Sequence, residues 1–142
     1  MTQISKATST DYAALTLRIG LGAMFVAHGL LKLMVFTPEG TAGYFASIGL
    51  PAWFAWPTII AEVGGGVLLI AGAFTRAVSL AMIPLLLGTI VFAHWTPGWL
   101  FSNAGGGWEY SAFLIVASVA AAFLGNGRLA VPLPASVARL NA

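Results

Sequence analysis

The feature that most restricts the fold of this chain is a series of four long apolar runs separated by short polar segments. One membrane span needs about 20 apolar residues, so the runs predict four spanning helices. Only 7% of the 142 residues are charged, against roughly 25% in ordinary soluble domains. We therefore predict an all-α, integral membrane four-helix bundle that occupies residues 1–142 as a single membrane domain. The predicted spans run from about Ala14 to Val35, Phe54 to Ala73, Ala77 to Thr96 and Glu109 to Leu124.

The distribution of the few charges predicts how the helices are oriented. Four spans place most basic residues at one face of the membrane and all five tryptophans at the other. Because basic residues accumulate on the cytoplasmic side, we predict that both termini are cytoplasmic and that Met1 to Asp11 forms a polar tail. The basic residues of the first face are Lys6, Arg18, Arg76, Arg128 and Arg139, and the tryptophans are Trp53, Trp56, Trp95, Trp99 and Trp108. With Tyr44 and Tyr110 the tryptophans predict an aromatic belt at the outer interface.

Glycine and proline positions predict the connections between the spans. The first outer loop contains Gly43 to Ile48 followed by Gly49 and Pro51, which predicts a short interfacial helix ended by a glycine. Gly72 to Arg76 predicts a tight turn between the second and third spans. Pro84 lies in the middle of the third span and is expected to kink it.

Several ionisable residues lie within the predicted spans, where they are expensive and are candidates for function. At about 100° per residue, His28 and Lys32 share one face of the first helix, and Glu62 aligns with a glycine face of the second. We predict a polar pocket open to the outer leaflet, with Glu62 and His28 at its floor. Lys32, His94 and Glu109 are expected around its mouth.

Each of these residues also has a purely structural interpretation. Lys32 would extend to the outer headgroups, and Arg18 and Arg76 to the inner ones, with their stems in the apolar region. Glu109 would act only as a helix cap, and His94, beside Trp95, only as an interface residue. Glu62 would form a structural bond with Lys32 or with the nearby histidine, because a buried carboxylate must be protonated or paired.

The residue inventory limits the redox chemistry that the chain can carry out itself. It contains no cysteine, which excludes disulfides, thiolate metal sites and dithiol exchange. His28 and His94 are weak candidates for haem ligands, and with Glu62 and Glu109 for a metal site. We predict no metal, and we do not expect haem because the estimated depths of the histidines differ by roughly 6 Å. Six basic residues are also too few for a nucleic-acid interface.

Several short segments follow one another from Leu17 to about Leu129. They are Leu17 to Gly20, His28 to Lys32, Phe45 to Pro51, Glu62 to Gly66, Gly72 to Arg76, His94, Gly106 to Tyr110 and Gly125 to Leu129. In this order the segments resemble the DoxX family of small bacterial inner-membrane proteins. An aspartate common just beyond the last segment in that family is replaced here by Val131 or Pro132. The resemblance implies a multi-pass protein of the bacterial inner membrane and an association with redox metabolism and soluble redox partners.

The resulting hypothesis is a redox-associated subunit whose outer pocket binds a quinone or quinol. Lys32 or His94 would bond to a ring oxygen, and Glu62 or His28 would exchange a proton. The aromatic side chains predicted to pack against the ring are Phe25, Trp95 and Trp108.

Two other functions fit the same sequence. The chain could be a non-catalytic scaffold that recruits soluble redox or sulfur-metabolism partners through its cytoplasmic segments, including Arg128 to Ala142. It could also be a small transporter, which four helices would form only as a homo-oligomer. The sequence contains no self-contained catalytic motif, so it does not decide whether the protein is an enzyme.

Overall fold

A computed structural model describes residues 8–134, and within that range every regular element is helical. Lys6 and Arg139, which contribute to the predicted charge asymmetry, and most of the segment Arg128 to Ala142 lie outside the described residues. A 3₁₀ turn, Ala52–Phe54, precedes α3, and π-helical turns Leu31–Val35 and Thr89–His94 continue α1 and α4. The five helices are α1 (Ser9–Leu30), α2 (Thr37–Ser47), α3 (Ala55–Ala71), α4 (Thr75–Gly88) and α5 (Glu109–Leu124).

Three helical segments are long and apolar enough to cross a membrane: Ser9–Val35, Ala52–Ala71 and Thr75–His94. The helix Glu109–Leu124 is also apolar but has only 16 residues, about 24 Å at a rise of 1.5 Å per residue. Large apolar side chains project outward from these segments, including Ile60, which is 64% exposed, and Phe123, which is 79% exposed. Such a surface is suited to lipid rather than water.

Helix α1 begins earlier than the apolar pattern indicated. The prediction of a polar tail up to Asp11 is wrong for its last residues, because the helix starts at Ser9. The side chain of Thr8 accepts a hydrogen bond from the Asp11 amide, and the Asp11 carboxylate accepts one from the Thr8 amide at 2.8 Å. This reciprocal capping box satisfies amides at the helix start without any apolar residue.

The helix predicted in the first outer loop is present but longer than expected. It begins at Thr37 rather than near Gly43, with a proline in its first turn and the Gly40 amide donating to Thr37 Oγ1 at 3.2 Å. Its glycine stop is confirmed: Gly49 has φ +83°, and the Leu50 amide donates to the Phe45 carbonyl at 2.9 Å. That bond is the signature of a Schellman C-terminus.

The helices α1 and α3 pack very closely because glycines face each other across the contact. A Cβ atom built on Gly22 would lie 2.6 Å from the Gly66 carbonyl oxygen, and one on Gly66 would lie 2.7 Å from the Gly22 carbonyl oxygen. Helix α5 packs against both α1 and α4, and α4 also contacts α3. Side chains from four helices, including Phe25, Leu69 and Met82, form the shared apolar core.

The antiparallel packing gives the molecule two chemically different ends. The arginine end carries Arg18, Arg76 and Arg128 around the turn between α3 and α4, where Gly72 has φ +73° as the predicted tight turn requires. The tryptophan end carries the five tryptophans, at the start of α3 and around the connection between α4 and α5.

Candidate functional site

A cavity of about 1070 Å³ lies among the helices at the tryptophan end. Most of its wall is aliphatic or aromatic, with Phe25 from α1, Phe45 from α2 and Leu114 from α5. Polar side chains form the minority of this wall, and a mainly apolar wall with some polar groups is the usual character of a small-molecule site. The polar residues are His28, Lys32, Thr41, Tyr44, Thr58, Glu62, Thr89, His94, Tyr110 and Ser111.

An ion pair between Lys32 and Glu62 forms one polar group on the cavity wall. Lys32 Nζ lies 2.9 Å from each carboxylate oxygen, and the two side chains are 20% and 5% exposed, respectively. Lys32 therefore does not extend away from the protein to lipid headgroups. The predicted inward orientation of Glu62 is matched by its burial, and the cation satisfies a carboxylate that burial would otherwise destabilise.

His28 is oriented by the backbone of its own helix and by α5. Its Nδ1 atom lies 2.8 Å from the carbonyl oxygen of Met24, one turn earlier. Its ring is stacked on Tyr110, with centroids 5.8 Å apart and planes inclined by 24°. The carbonyl can only accept, so Nδ1 carries a proton and Nε2 is the nitrogen left for another partner.

Tyr110 was assigned from the sequence only to an aromatic belt, but it lines the cavity beside His28. Its hydroxyl oxygen is buried and has no hydrogen-bond partner within residues 8–134. Buried hydroxyls usually have a partner, so an unpaired one in a cavity wall is available to a ligand. The sequence feature that could have indicated Tyr110 as a cavity residue is its position next to Glu109, at the start of the fourth apolar run.

Two other missed features are Thr41 and the π-helical turns. Thr41 is 4% exposed and donates to the Lys32 carbonyl at 3.3 Å. Lys32 lies in the turn Leu31–Val35, and His94 ends the turn Thr89–His94. Such turns are frequent at functional sites because they reorient side chains, and the second begins five residues after Pro84. Apolar periodicity carries no signal for either turn.

The candidates predicted at the mouth of the pocket separate into two groups. His94 lines the cavity, with Nδ1 3.2 Å from the Gly105 carbonyl oxygen. Glu109, Trp95 and Trp108 are not among the residues that line it. Glu109 accepts a hydrogen bond from the Phe101 amide at 2.9 Å, and the two tryptophan rings stack on each other with centroids 6.2 Å apart. They hold the connection between α4 and α5 together.

No group of three or more histidine, aspartate or glutamate side chains suited to a metal ion occurs within the described range 8–134. The two histidines both line the cavity. The carboxylate of Glu62 is already paired with Lys32, and that of Glu109 lies elsewhere. The two histidines and Glu62 therefore share one cavity wall, to which Glu109 does not belong.

The arginine end holds a second buried cation, Arg18, and the expectation that it extends to headgroups is wrong. Arg18 is 1% exposed. Its Nε donates to Asn126 at 2.8 Å, Nη2 to Arg128 at 2.7 Å and Nη1 to Leu69 at 3.0 Å and to Ile70, all at carbonyl oxygens. The last turn of α3 and the chain after α5 provide these acceptors, so the guanidinium is drawn inward. Arg76 is half-buried at the same end.

Comparison with known proteins identifies relatives of the chain. The family model named DoxX matches residues 13–95. A Bacillus subtilis (strain 168) protein named "Putative oxidoreductase CatD" is 33% identical over 123 residues, which is 87% of this chain and 87% of the relative. An Escherichia coli (strain K12) protein named "Inner membrane protein YphA" is 35% identical over 79 residues, covering 54% and 55% of the two chains. No solved structure matches.

Proposed function

This chain belongs to the DoxX family, and from that premise we propose that it is a redox-associated membrane protein whose cavity binds a quinone or quinol. The name of the Bacillus relative, which describes an oxidoreductase, supports the redox association. A protein without cysteine needs a separate carrier for electrons, and a quinone is a carrier that dissolves in the membrane.

The observation that carries the proposal is the arrangement of polar groups on an otherwise apolar wall. Lys32, Glu62, His28 and Tyr110 all line one cavity. A quinone head group is a flat apolar ring with two oxygens, and it needs hydrogen-bond partners at those oxygens and apolar contact elsewhere. A cavity of about 1070 Å³ exceeds the ring alone, leaving room for the first part of an isoprenoid tail.

The energetics of the ion pair favour a binding role over a stabilising one. Replacing a buried ion pair by apolar residues is often neutral or stabilising, whereas removal of one partner is strongly destabilising. The presence of Lys32 and Glu62 in the cavity wall, at 20% and 5% exposure, is therefore poorly explained by stability alone. A role in ligand binding explains the ion pair better. Each charge neutralises the other, and the remaining N–H and lone pairs are free to form hydrogen bonds with a ligand.

We also propose that α1, α3, α4 and α5 span the bacterial inner membrane as a four-helix bundle, with both termini cytoplasmic and α2 at the outer interface. The name of the Escherichia coli relative supports that membrane. The basic residues of the arginine end support a cytoplasmic location for it, and the aromatic residues of the tryptophan end support an interfacial one. The cavity would then open in the outer leaflet.

The direct test is ligand binding by the native protein and by two matched variants, Glu62→Gln and Glu109→Gln. Mass spectrometry of gently extracted protein should detect a bound quinone, and purified protein in nanodiscs should bind decylubiquinone. Glu62→Gln should weaken binding by about tenfold, because it removes a charged member of the cavity wall. Glu109→Gln makes the same chemical change outside the cavity and should leave affinity within about twofold.

Gel filtration in detergent establishes that each variant is folded before binding is measured. Should Glu62→Gln not fold, the pair of changes Lys32→Met and Glu62→Leu removes both charges together and avoids leaving one unpaired. Failure of the native protein to carry or bind a quinone would contradict the proposal. Equal effects of the two glutamine variants would also contradict it.

A further inference from the structure

The protonation of His28 determines what kind of ligand atom it can meet. Nδ1 lies 2.8 Å from the carbonyl oxygen of Met24, and since a carbonyl has no proton to give, Nδ1 must donate. In the neutral imidazole the other nitrogen, Nε2, is then an acceptor. Within residues 8–134 the hydrogen bond of His28 is made by Nδ1 and leaves Nε2 free, and His28 lines the cavity.

The ring of His28 is held in this orientation from two sides. Rotation that turned Nδ1 toward the cavity would break the bond to Met24. Tyr110 of α5 holds the plane of the ring by stacking on it, with centroids 5.8 Å apart, while the Met24 carbonyl selects the tautomer with a proton on Nδ1. In the neutral ring the acceptor character of Nε2 therefore follows from the fold.

The neighbouring groups supply both acceptors and donors, so His28 is the position at which the two forms of a ligand are distinguished. The Glu62 carboxylate only accepts, and with one Lys32 contact on each oxygen it keeps further lone pairs. Lys32 directs its ammonium group at both oxygens, which leaves one N–H for a ligand. The Tyr110 hydroxyl can donate or accept. His94 resembles His28, because its Nδ1 faces the Gly105 carbonyl oxygen at 3.2 Å.

A quinol and a quinone of the same ring differ in this respect. The quinol presents two hydroxyl donors, whereas the quinone presents two carbonyl acceptors. A hydroxyl can donate to His28 Nε2, but a carbonyl oxygen there would bring two lone pairs together and leave both groups unpaired. We infer that the cavity binds the hydroxyl-bearing, reduced form of its ligand more tightly than the carbonyl-bearing form, and that His28 determines this specificity.

This inference rests on the proposed function and adds the redox state of the ligand to it. A mispaired buried acceptor weakens binding by about tenfold. Tighter binding of the reduced form by about tenfold raises the midpoint potential of the bound two-electron couple by about 30 mV relative to the free couple. A residue with only a structural role would not move that potential.

The experiment measures the affinity of native protein in nanodiscs for decylubiquinone and for its quinol, separately and under anaerobic conditions. We expect the quinol to bind about tenfold more tightly. In His28→Gln the terminal amide offers a donor as well as an acceptor, so the ratio of the two affinities should approach one. Glu109→Gln, outside the cavity, should keep the native ratio.

The possible failures are distinguishable. Equal affinities in the native protein, or tighter binding of the quinone, would overturn the inference and leave the proposed function intact. A native ratio that persists in folded His28→Gln would overturn the role of His28. Binding of neither form would overturn the proposed function and the inference with it. The native ratio decides the preference even if His28→Gln does not fold.

Discussion

The two ends of the molecule bury cations in different ways. At the arginine end, the guanidinium of Arg18 is 1% exposed and donates to four backbone carbonyl oxygens. At the tryptophan end, Lys32 is paired with Glu62, while the His28 Nε2 and the Tyr110 hydroxyl in the same cavity have no partner within residues 8–134. A buried charge whose donors are directed at the backbone holds elements together. Under the proposed function, the charged pair among unpaired polar groups belongs to a ligand site.

The comparison predicts that the largest loss of stability follows Arg18→Leu. The change leaves carbonyl oxygens at the end of α3 and in the chain after α5 without donors, so the free energy of unfolding should fall by about 3 kcal/mol or more. Unfolding in mixed detergent and SDS micelles measures it. Arg128→Leu, which removes an exposed side chain, should change stability by less than about 0.5 kcal/mol. Similar losses of stability in both variants would contradict the prediction that the buried Arg18 side chain stabilises the fold more than the exposed Arg128 side chain.

A smaller and compensable loss is expected at the ion pair. Glu62→Leu leaves Lys32 buried without its counter-ion and should reduce the free energy of unfolding by about 3 kcal/mol at most, since Lys32 is partly exposed. Adding Lys32→Met should restore most of that loss, while quinone binding stays weak. The same unfolding and binding assays decide the outcome. Additive losses from the two changes would mean that the two side chains are not energetically coupled and would contradict the expected compensation.

Tyr110→Phe should separate binding from stability. The hydroxyl has no partner within residues 8–134, so its removal should change the free energy of unfolding by less than about 0.5 kcal/mol. Affinity for decylubiquinone should fall by about threefold to tenfold because a ligand oxygen loses its partner. Tyr12→Phe, at a tyrosine that is 54% exposed, is the control and should change neither. Unaltered affinity in Tyr110→Phe would remove this hydroxyl from the binding site.

The smallest expected effect on the protein comes from single-cysteine labelling, which tests whether the two ends face opposite sides of the membrane. The chain has no cysteine, so Ser102→Cys and Leu129→Cys each introduce a unique thiol at an exposed position. A maleimide that does not cross membranes should label Ser102→Cys in cells with a permeabilised outer membrane. It should label Leu129→Cys only after the inner membrane is disrupted. The reverse pattern would invert the proposed orientation.

Apolar periodicity and turn residues predicted much of the helical organisation. The fourth predicted run and α5 share the bounds Glu109 to Leu124, and Gly49 ends α2 as expected. The start of α1 was missed because Thr8 and Asp11 stabilise it through polar capping, which a search for apolar runs does not detect. The start of α2 was missed because Gly40 and Gly43 weaken the helical pattern, while a proline and a threonine cap compensate.

The structure brings some of the predicted site residues to one cavity and not others, for reasons that depend on individual residues. Glu62 and His28 both line the cavity, and 3.6-residue periodicity indicates the direction of such side chains along a regular helix. Glu109 was assigned to the pocket by depth alone, but its carboxylate turns to the Phe101 amide. Tyr110 was assigned to the interface, yet the packing of α5 on α1 brings its ring to His28.

The sequence by itself determined that the chain is helical, that its apolar segments suit a membrane and that its family is DoxX. These properties follow from local composition and from the order of short motifs, and both can be read from the linear sequence. Only the tertiary structure decided that Arg18 turns inward, that Lys32 reaches Glu62 and that Tyr110 faces the cavity. Those outcomes depend on which helix lies beside which, because a long polar side chain bonds to whatever partner a neighbouring helix brings within about 3 Å.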